Sequence, residues 1–307
     1  MTIVAETLTR QKYIYEMSHT HAPVLRVASG TEVVIDTYDC FLNQITSADT
    51  AFNAIDWSQI NPATGPIYIE DAEPGDILSV TIHKIELEKQ GVMATGPQLG
   101  TMGHRIEEFS VKVVPIENGK AIFNKDIALP LNPMIGVIGV APKEGEVPCG
   151  TPGDHGGNMD TTLIAEGATV YFPVFHPGAL FSLGDVHAAM GDGEVGVSGI
   201  EIPAKVTVTL RVIKGSSIET PLVENEEGIA FLVSKETLDE AADQSVEHLV
   251  DYLLQRTSMK IDEVTMLLSA AGHVQVSQIV DPLKTARCFL SKDILKKLGI
   301  KEIFQEG

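Results

Sequence analysis

Through its first 215 residues the chain carries apolar side chains at a spacing of two, in short runs separated by turn residues. The run at 202–213 alternates most regularly, with Val206, Val208 and Leu210 on one face. Because successive side chains of an extended chain point to opposite faces, this spacing predicts strands with one buried face. Asn118 and Gly119 stand between two such runs, which predicts a β-hairpin.

This pattern restricts the architecture of residues 1–215, which contain hardly any helical spacing. A sheet with one apolar face must bury that face against another layer, and successive short strands do so in sandwiches and jelly rolls. We therefore predict a mainly β domain over residues 1–215, jelly-roll- or sandwich-like, that carries the functional loops.

The spacing changes to that of helices in residues 216–307. Thr237 and Glu240 have the spacing of a capping box, and the apolar residues that follow fall on one helical face. Residues 261–271 predict a second helix that ends at Gly272, and residues 291–298 a short one that ends at Gly299. Strand-like runs lie between them, so we predict a smaller α+β domain over residues 216–307.

Charge and composition exclude several classes of protein. The net charge is −20, from 42 acidic against 22 basic residues, so the average field repels nucleic acid and anionic lipid. No apolar run reaches the roughly 20 residues of a membrane-spanning helix, and the N-terminus lacks a signal core. The three cysteines are too few for a disulfide framework. We expect a cytoplasmic protein that binds neither nucleic acid nor membrane.

The stretch 173–194 concentrates the polar chemistry of the chain. It begins as an apolar strand and then places Asp185, His187, Asp192 and Glu194 around two glycines. Carboxylates and an imidazole that converge on one point bind divalent metals. The alternative is an ordinary Gly-Asp-Gly turn with solvated acids.

A second glycine-rich loop, at 149–160, carries His155, Asn158 and Asp160. Glycines permit backbone amides to approach a ligand while side chains point inward, so this loop is a second candidate for the site. Further acids follow predicted strands, and these are Asp36, Asp39 and Glu70.

At these motifs the sequence resembles the acetamidase/formamidase family. The resemblance covers nearly the whole chain and rests on these motifs in order: Asp39-Cys40, GPIYIE at 65–70, EPGD at 73–76, GVIGVAP at 136–142, GGNMD at 156–160, residues 173–194, and LLSAAG at 267–272. It implies hydrolysis of short amides such as acetamide and formamide to a carboxylate and ammonia. It also implies dependence on a metal and a homo-oligomer of at least two chains.

For amide hydrolysis by a metal-activated water, the sequence suggests a role for each candidate. The cofactor is expected to be zinc, with calcium as the alternative, held by these ligands: Asp185, His187, Asp160, Asp36 and Asp39. Glu194 is the expected general base, with Asn158 and Asp192 as further catalytic groups. Substrate contacts are expected from Gly156, Gly157, His155 and Glu70.

Two other hypotheses remain open at this stage. Cys40 adjoins Asp39, and Cys149 precedes the His155 loop, so either thiol is a candidate nucleophile of an amidase. The other is a jelly-roll protein that binds a cation or small ligand without turnover. Calcium prefers all-oxygen coordination, so His187 favours a transition metal.

Overall fold

The computed structural model describes residues 5–304, and strands form most of its regular structure. The strands are β1 Glu6–Leu8, β2 Tyr13–Ile14, β3 Glu16–Ser18, β4 Leu25–Val27, β5 Thr31–Asp36, β6 Ala63–Ile69, β7 Ile77–Leu87, β8 Gln90–Thr95, β9 Ser110–Glu117, β10 Lys120–Ile122, β11 Ala128–Pro130, β12 Met134–Gly139, β13 Glu146–Pro148, β14 Gly156–Asn158, β15 Thr169–Pro173, β16 Phe181–His187, β17 Ala204–Ile213, β18 Leu222–Glu224, β19 Gly228–Lys235, β20 His273–Gln278 and β21 Lys284–Ser291. The α-helices are α1 Leu238–Arg256, α2 Ile261–Ala271 and α3 Lys292–Lys297. The predicted mainly β fold with a helical C-terminal part is confirmed.

The largest sheet runs in the order β1-β5-β17-β7-β15-β18-β19-β21-β20. At its centre β17 pairs antiparallel with β5 and β7, and Val206, Val208 and Leu210 are fully buried as the alternation predicts. The sheet continues from β15 into β18, so it crosses the predicted boundary at residue 215 without interruption. The division into two domains at that residue stays a prediction.

A second sheet, in the order β14-β12-β16-β6-β2, supplies the framework of the polar cluster described below. Its strand β12 pairs antiparallel with β14 on one side and β16 on the other. Every residue of β12 and β16 is buried. The two polar stretches predicted from sequence therefore lie on either side of one buried, glycine-containing strand.

Local signals placed the hairpin and the helix ends correctly. β9 and β10 pair around Asn118 and Gly119, which both have the positive φ of a tight hairpin turn, 51° and 72°. The Thr237 hydroxyl accepts a hydrogen bond from the Glu240 N–H at the start of α1. Gly272 ends α2.

The helices cover one face of the C-terminal half of the large sheet. Leu249 and Leu253 of α1 are fully buried in a cluster with Val264 of α2 and Leu290 of β21. Burial of each such side chain stabilises the fold by about 1.5–3 kcal/mol. No helix among residues 5–304 is long and apolar enough to span a membrane.

Candidate active site

Three carboxylates and one imidazole meet at the end of the second sheet. The Nε2 atom of His187 lies 3.1 Å from Glu201 Oε2, 3.4 Å from Asp185 Oδ1 and 3.9 Å from Asp160 Oδ1. Glu194 joins the group, because one of its oxygens lies within 4.8 Å of ligand atoms of Asp160 and His187. All five side chains are buried. The structure thus brings together four residues predicted from sequence and adds Glu201.

The backbone is strained where three of these carboxylates are attached. Asp160, Asp185 and Glu194 have φ values of 40°, 54° and 46°, in the left-handed region that non-glycine residues seldom occupy. Each such residue costs on the order of 1–3 kcal/mol and persists only where surrounding structure fixes it. Its recurrence at three clustered acids indicates that the backbone is arranged to direct these side chains to one point.

Glycines provide the space into which the cluster fits. A Cβ atom at Gly136, on β12, would stand 2.5 Å from both Asp160 Oδ1 and Asp185 Oδ2. A Cβ at Gly199 would stand 2.7 Å from His187 Nδ1. Since real Cβ contacts are never that short, both positions require glycine for the side chains to hold this arrangement.

The C-terminal part of the chain completes the site. The loop between β20 and β21 carries Asp281, whose Oδ2 accepts a hydrogen bond from Asn158 Nδ2 at 3.0 Å. The same part holds the Glu194 loop, because the Gly193 N–H donates to the Ser277 carbonyl at 2.7 Å. The two halves of the chain therefore fix the site jointly.

The close approach of so many acids perturbs their ionisation. Burial, reinforced by the charge of Asp185, raises the pKa of Asp160 to about 6. Burial likewise raises the pKa of Glu201 to about 8, although His187 opposes it. The pKa values of Glu194 and Asp281 are raised well above the usual range, by burial first and then by the charge of Asp160.

The pKa of the His187 imidazole and that of the Asp185 carboxyl group shift in opposite directions. Burial alone would lower the pKa of His187, but the charges of Glu201 and Asp185 outweigh it and raise that pKa well above its ordinary value. Burial alone would raise the pKa of Asp185, and the charge of His187 outweighs it and lowers that pKa. The neighbouring carboxylates therefore favour the protonated form of the His187 imidazole.

The cluster has more acceptors than the protein satisfies. Among residues 5–304, these buried atoms have no hydrogen-bond partner: both carboxylate oxygens of Asp160, Asp185 Oδ1, Glu201 Oε2, both ring nitrogens of His187, and Asn158 Oδ1. Buried polar atoms are normally paired, so such a convergence requires explanation by an ion or water. Carboxylates with an imidazole are a donor set that suits zinc and related transition metals. The residues present fit a divalent cation.

A cavity of about 600 Å³ opens on the cluster. Asn158, Asp185, Glu194, Glu201 and Asp281 line its polar end. A small molecule in the cavity therefore has direct access to the buried acids.

Three predicted site residues lie outside the cluster. Asp36 accepts two hydrogen bonds from Arg10, each 2.8 Å long, and is engaged in that ion pair. Glu70 is exposed and pairs with Arg26. Asp192 is half exposed; its Oδ2 lies 2.7 Å from Arg287 Nη2, and its Oδ1 accepts from the Thr162 hydroxyl. Asp192 thus anchors the Glu194 loop from outside.

Asp39 lies at the edge of the site. Its Oδ1 accepts hydrogen bonds from the backbone N–H groups of Phe41 and Asn43, and these bonds stabilise the loop after β5. Burial raises the pKa of Asp39 to about 6, against those two hydrogen bonds and with a contribution from the charge of Asp185. Asp39 is therefore within electrostatic reach of the cluster, while its hydrogen bonds hold its own loop.

The residues predicted at 155–157 to contact the substrate lie away from the lining of the large cavity. The N–H of Gly156 donates to the Gly153 carbonyl, and Gly157 pairs with Ile138 of β12. His155 is buried and borders a separate cavity with Lys143. The Gly156 amide is thus engaged in a turn, and none of Gly156, Gly157 and His155 lines the large cavity.

Sequence reasoning missed Glu201 and Asp281. Glu201 stands between Ile200 and Ile202, which are both buried, and an acid inside an apolar run was the available signal. Asp281 follows strand β20 in a short turn, and its sequence gives no sign that this loop reaches residues 158–201.

Both candidate cysteine nucleophiles are buried in surroundings that raise the pKa of the thiol. Burial, with the charges of Glu201 and Asp185, raises the pKa of Cys40 well above its ordinary value. Burial raises the pKa of Cys149 to about 12. Because the thiolate is the reactive form, these surroundings oppose nucleophilic catalysis by either thiol.

A mostly β fold that holds buried carboxylates and a histidine beside a cavity has the features of an enzyme with an active site for a small molecule. The sequence profile of the Acetamidase/Formamidase family matches residues 6–149 and 146–297. The chain belongs to the acetamidase/formamidase family, as its motifs predict.

Solved structures show the same fold. A predicted acetamidase/formamidase from the thermophile Thermoanaerobacter tengcongensis is 50% identical, with a TM-score of 0.95 over 97% of this chain and 99% of that one. An acetamidase from Bacillus halodurans is 44% identical, with a TM-score of 0.94 over 95% and 99% of the two chains. A formamidase from Methylophilus methylotrophus is 26% identical over 264 residues, which are 66% of this chain and 64% of that protein. The chain thus matches less than two thirds of the length of that formamidase.

Proposed function

We propose that the protein hydrolyses short primary amides, of the formamide and acetamide type, to a carboxylate and ammonia. The observation that carries the proposal is the set of buried, unpartnered acids and imidazole at the end of a cavity, in a chain of the acetamidase/formamidase family. Acids with strongly shifted pKa values that face a cavity cluster at active sites, which favours catalysis over ligand binding alone.

We propose that a divalent metal, zinc rather than calcium, is held by this cluster. Asp160, Asp185 and His187 are its ligands, with Glu201 and Glu194 at the same centre. His187 favours zinc, because calcium takes oxygen ligands only. When bound, the cation supplies a Lewis acid that polarises the substrate carbonyl and a positive charge that offsets the carboxylates.

The remaining steps belong to side chains of this protein. Glu194 takes the proton of the attacking water and delivers it to the leaving nitrogen. Burial raises the pKa of Glu194, which strengthens the carboxylate as an acceptor of the proton of the attacking water. Asn158 is oriented by Asp281, which leaves Asn158 Oδ1 free to accept an N–H of the substrate amide.

Ammonia release from formamide, acetamide and propionamide tests the proposal, with metal content measured on the same protein. We expect activity that chelation abolishes and zinc restores. His187→Ala should lose both metal and activity, whereas His176→Ala, which removes an imidazole stacked on His19 outside the cluster, should lose neither.

Two results would contradict parts of this proposal separately. Full activity in protein shown by elemental analysis to be free of metal would end the metal-dependent mechanism. Absence of ammonia from all three amides with metal bound would end the assignment of amide hydrolysis.

We propose also that the protein is a homo-oligomer. Ile261 and Met266 of α2 and Val274 of β20 are large apolar side chains more than half exposed, which is a feature of contact surfaces. Light scattering after size exclusion measures the mass, and a single-chain mass at micromolar concentration would contradict the proposal.

A further inference from the structure

One wall of the large cavity is apolar, and nothing in the hydrolysis of formamide or acetamide uses it. Besides the acids, a set of apolar and aromatic side chains lines the cavity and forms its apolar wall: Tyr15, Phe41, Trp57, Ile60, Leu99 and Val197. Its volume of about 600 Å³ lies within the range of roughly 300–1,000 Å³ that is typical of pockets for drug-sized ligands. Acetamide, with only a few non-hydrogen atoms, leaves most of this space unfilled.

Two residues of the apolar wall, Phe41 and Trp57, belong to an aromatic cluster with Phe52 and Phe109. The indole of Trp57 stacks on Phe52 with ring centroids 4.8 Å apart and meets Phe109 edge-on at 5.8 Å. Its Nε1–H donates to the Phe52 carbonyl at 3.1 Å. The polar edge of Trp57 is thus satisfied by the protein itself, and the ring presents apolar surface to the cavity.

The positions of the acids and of the apolar side chains set the direction in which an amide binds. The amide group must reach Asp185, Glu194 and Glu201, which line the cavity and belong to the cluster around His187. The substituent on the carbonyl carbon therefore extends away from the acids, along the apolar wall.

We propose that the preferred substrates are primary amides with a large apolar or aromatic acyl group, which the wall around Trp57 binds. This proposal rests on the proposed amide hydrolysis and names the substrate class. Each methylene group that moves from water to such a wall is worth about fourfold in kcat/KM, and an aromatic ring more than tenfold.

The test is the series acetamide, propionamide, butyramide, hexanamide and phenylacetamide on the metal-loaded protein. We expect kcat/KM to rise about fourfold per methylene, and phenylacetamide to exceed acetamide by at least about tenfold. Trp57→Leu should lower the phenylacetamide-to-acetamide ratio by about tenfold. Phe175→Leu is the matched control, because this half-buried ring borders a separate cavity, and it should leave the ratio unchanged.

Binding provides a second measurement that does not depend on turnover. Trp57 is the only tryptophan of the chain, so its fluorescence reports occupancy of this wall directly. Saturable change with phenylacetamide, at concentrations where acetamide gives none, supports the proposal even if the assignment of hydrolysis fails. Acetamide hydrolysis with a flat or falling kcat/KM along the series, or no fluorescence change with phenylacetamide, overturns it and leaves the proposed hydrolysis standing.

Discussion

Asn158 and Asp281 join the two parts of the site across 123 residues of sequence, through one hydrogen bond of 3.0 Å from Asn158 Nδ2 to Asp281 Oδ2. Both side chains line the cavity, and Asn158 is only 5% exposed. This bond fixes the loop between β20 and β21 against the end of β14, so it connects the helical part of the chain to the acids.

The first prediction concerns that bond. Asn158→Ala leaves the half-buried carboxyl group of Asp281 without its amide donor, which should lower the free energy of unfolding by about 1.5–3 kcal/mol. Urea denaturation measures this loss. Asn132→Ala removes an exposed amide and should change stability by less than about 0.5 kcal/mol. Equal effects of the two changes would show that the bond is energetically unimportant.

The second prediction tests the space between the carboxylates. In Gly136→Ala the new methyl group meets both Asp160 Oδ1 and Asp185 Oδ2 at 2.5 Å, so these side chains must separate. We expect a loss of about 1–3 kcal/mol in stability and a large loss of bound metal. Gly191→Ala, in the nearby loop, meets nothing within 4 Å and is the matched control. Wild-type metal content in Gly136→Ala would contradict the proposed arrangement of ligands.

The fold was more predictable from sequence than the site. The alternation of Val206, Val208 and Leu210 has one physical meaning, because only a strand with one buried face places all three inside. Asp185 and His187 were predictable together as neighbours on one strand, although Asp185 reaches His187 from a left-handed backbone. Local periodicity determines local structure, and these features are local.

The rest of the site depends on contacts distant in sequence. In the sequence, Asp36 and Asp39 are equivalent acids at the end of β5. In the structure, Arg10 forms an ion pair with Asp36. The sequence around residue 36 gives no indication of this partner. Glu201 joins the cluster through isolated bridges to Val92 and His187. The order of strands in the sheets and the packing of the loops determine which acids come together. Neither can be inferred from a single sequence.

The third prediction concerns stability against pH. Burial lowers the pKa of His155 to about 4 in the folded protein, against about 6.5 in an unfolded chain. Between these values the unfolded state binds more protons, so stability falls as the pH falls from about 6.5 to about 4. The contribution of His155 to this loss is about 3 kcal/mol.

His155→Gln removes the titrating group and serves as the comparison. Between pH 7 and pH 4 the wild type should lose about 3 kcal/mol more stability than the variant, as measured by urea unfolding at each pH. Other groups titrate in both proteins and cancel in the difference. Parallel pH profiles would mean that His155 accepts its proton without unfolding.

The fourth prediction separates three roles of Glu194. Glu194→Gln is nearly isosteric, so packing at this buried position should persist, but an amide cannot accept the proton of the attacking water. As the general base, Glu194 supplies about 10²–10⁴-fold in rate, and the variant should lose that factor in kcat while keeping its metal and thermal midpoint. If Glu194 is instead a metal ligand, the Glu194→Gln variant should lose metal together with activity.

Measurement of kcat, bound metal and thermal midpoint on this one variant distinguishes these roles, and Asp192→Asn is its comparison. Asp192 stands two residues away, half exposed and paired with Arg287 rather than directed at the cluster. Its substitution should loosen the loop and lower the thermal midpoint, with a far smaller effect on kcat than that of Glu194→Gln. A wild-type kcat with unchanged metal in Glu194→Gln would remove Glu194 from the mechanism and leave Glu201, whose pKa burial raises to about 8, as the acid positioned to carry the proton.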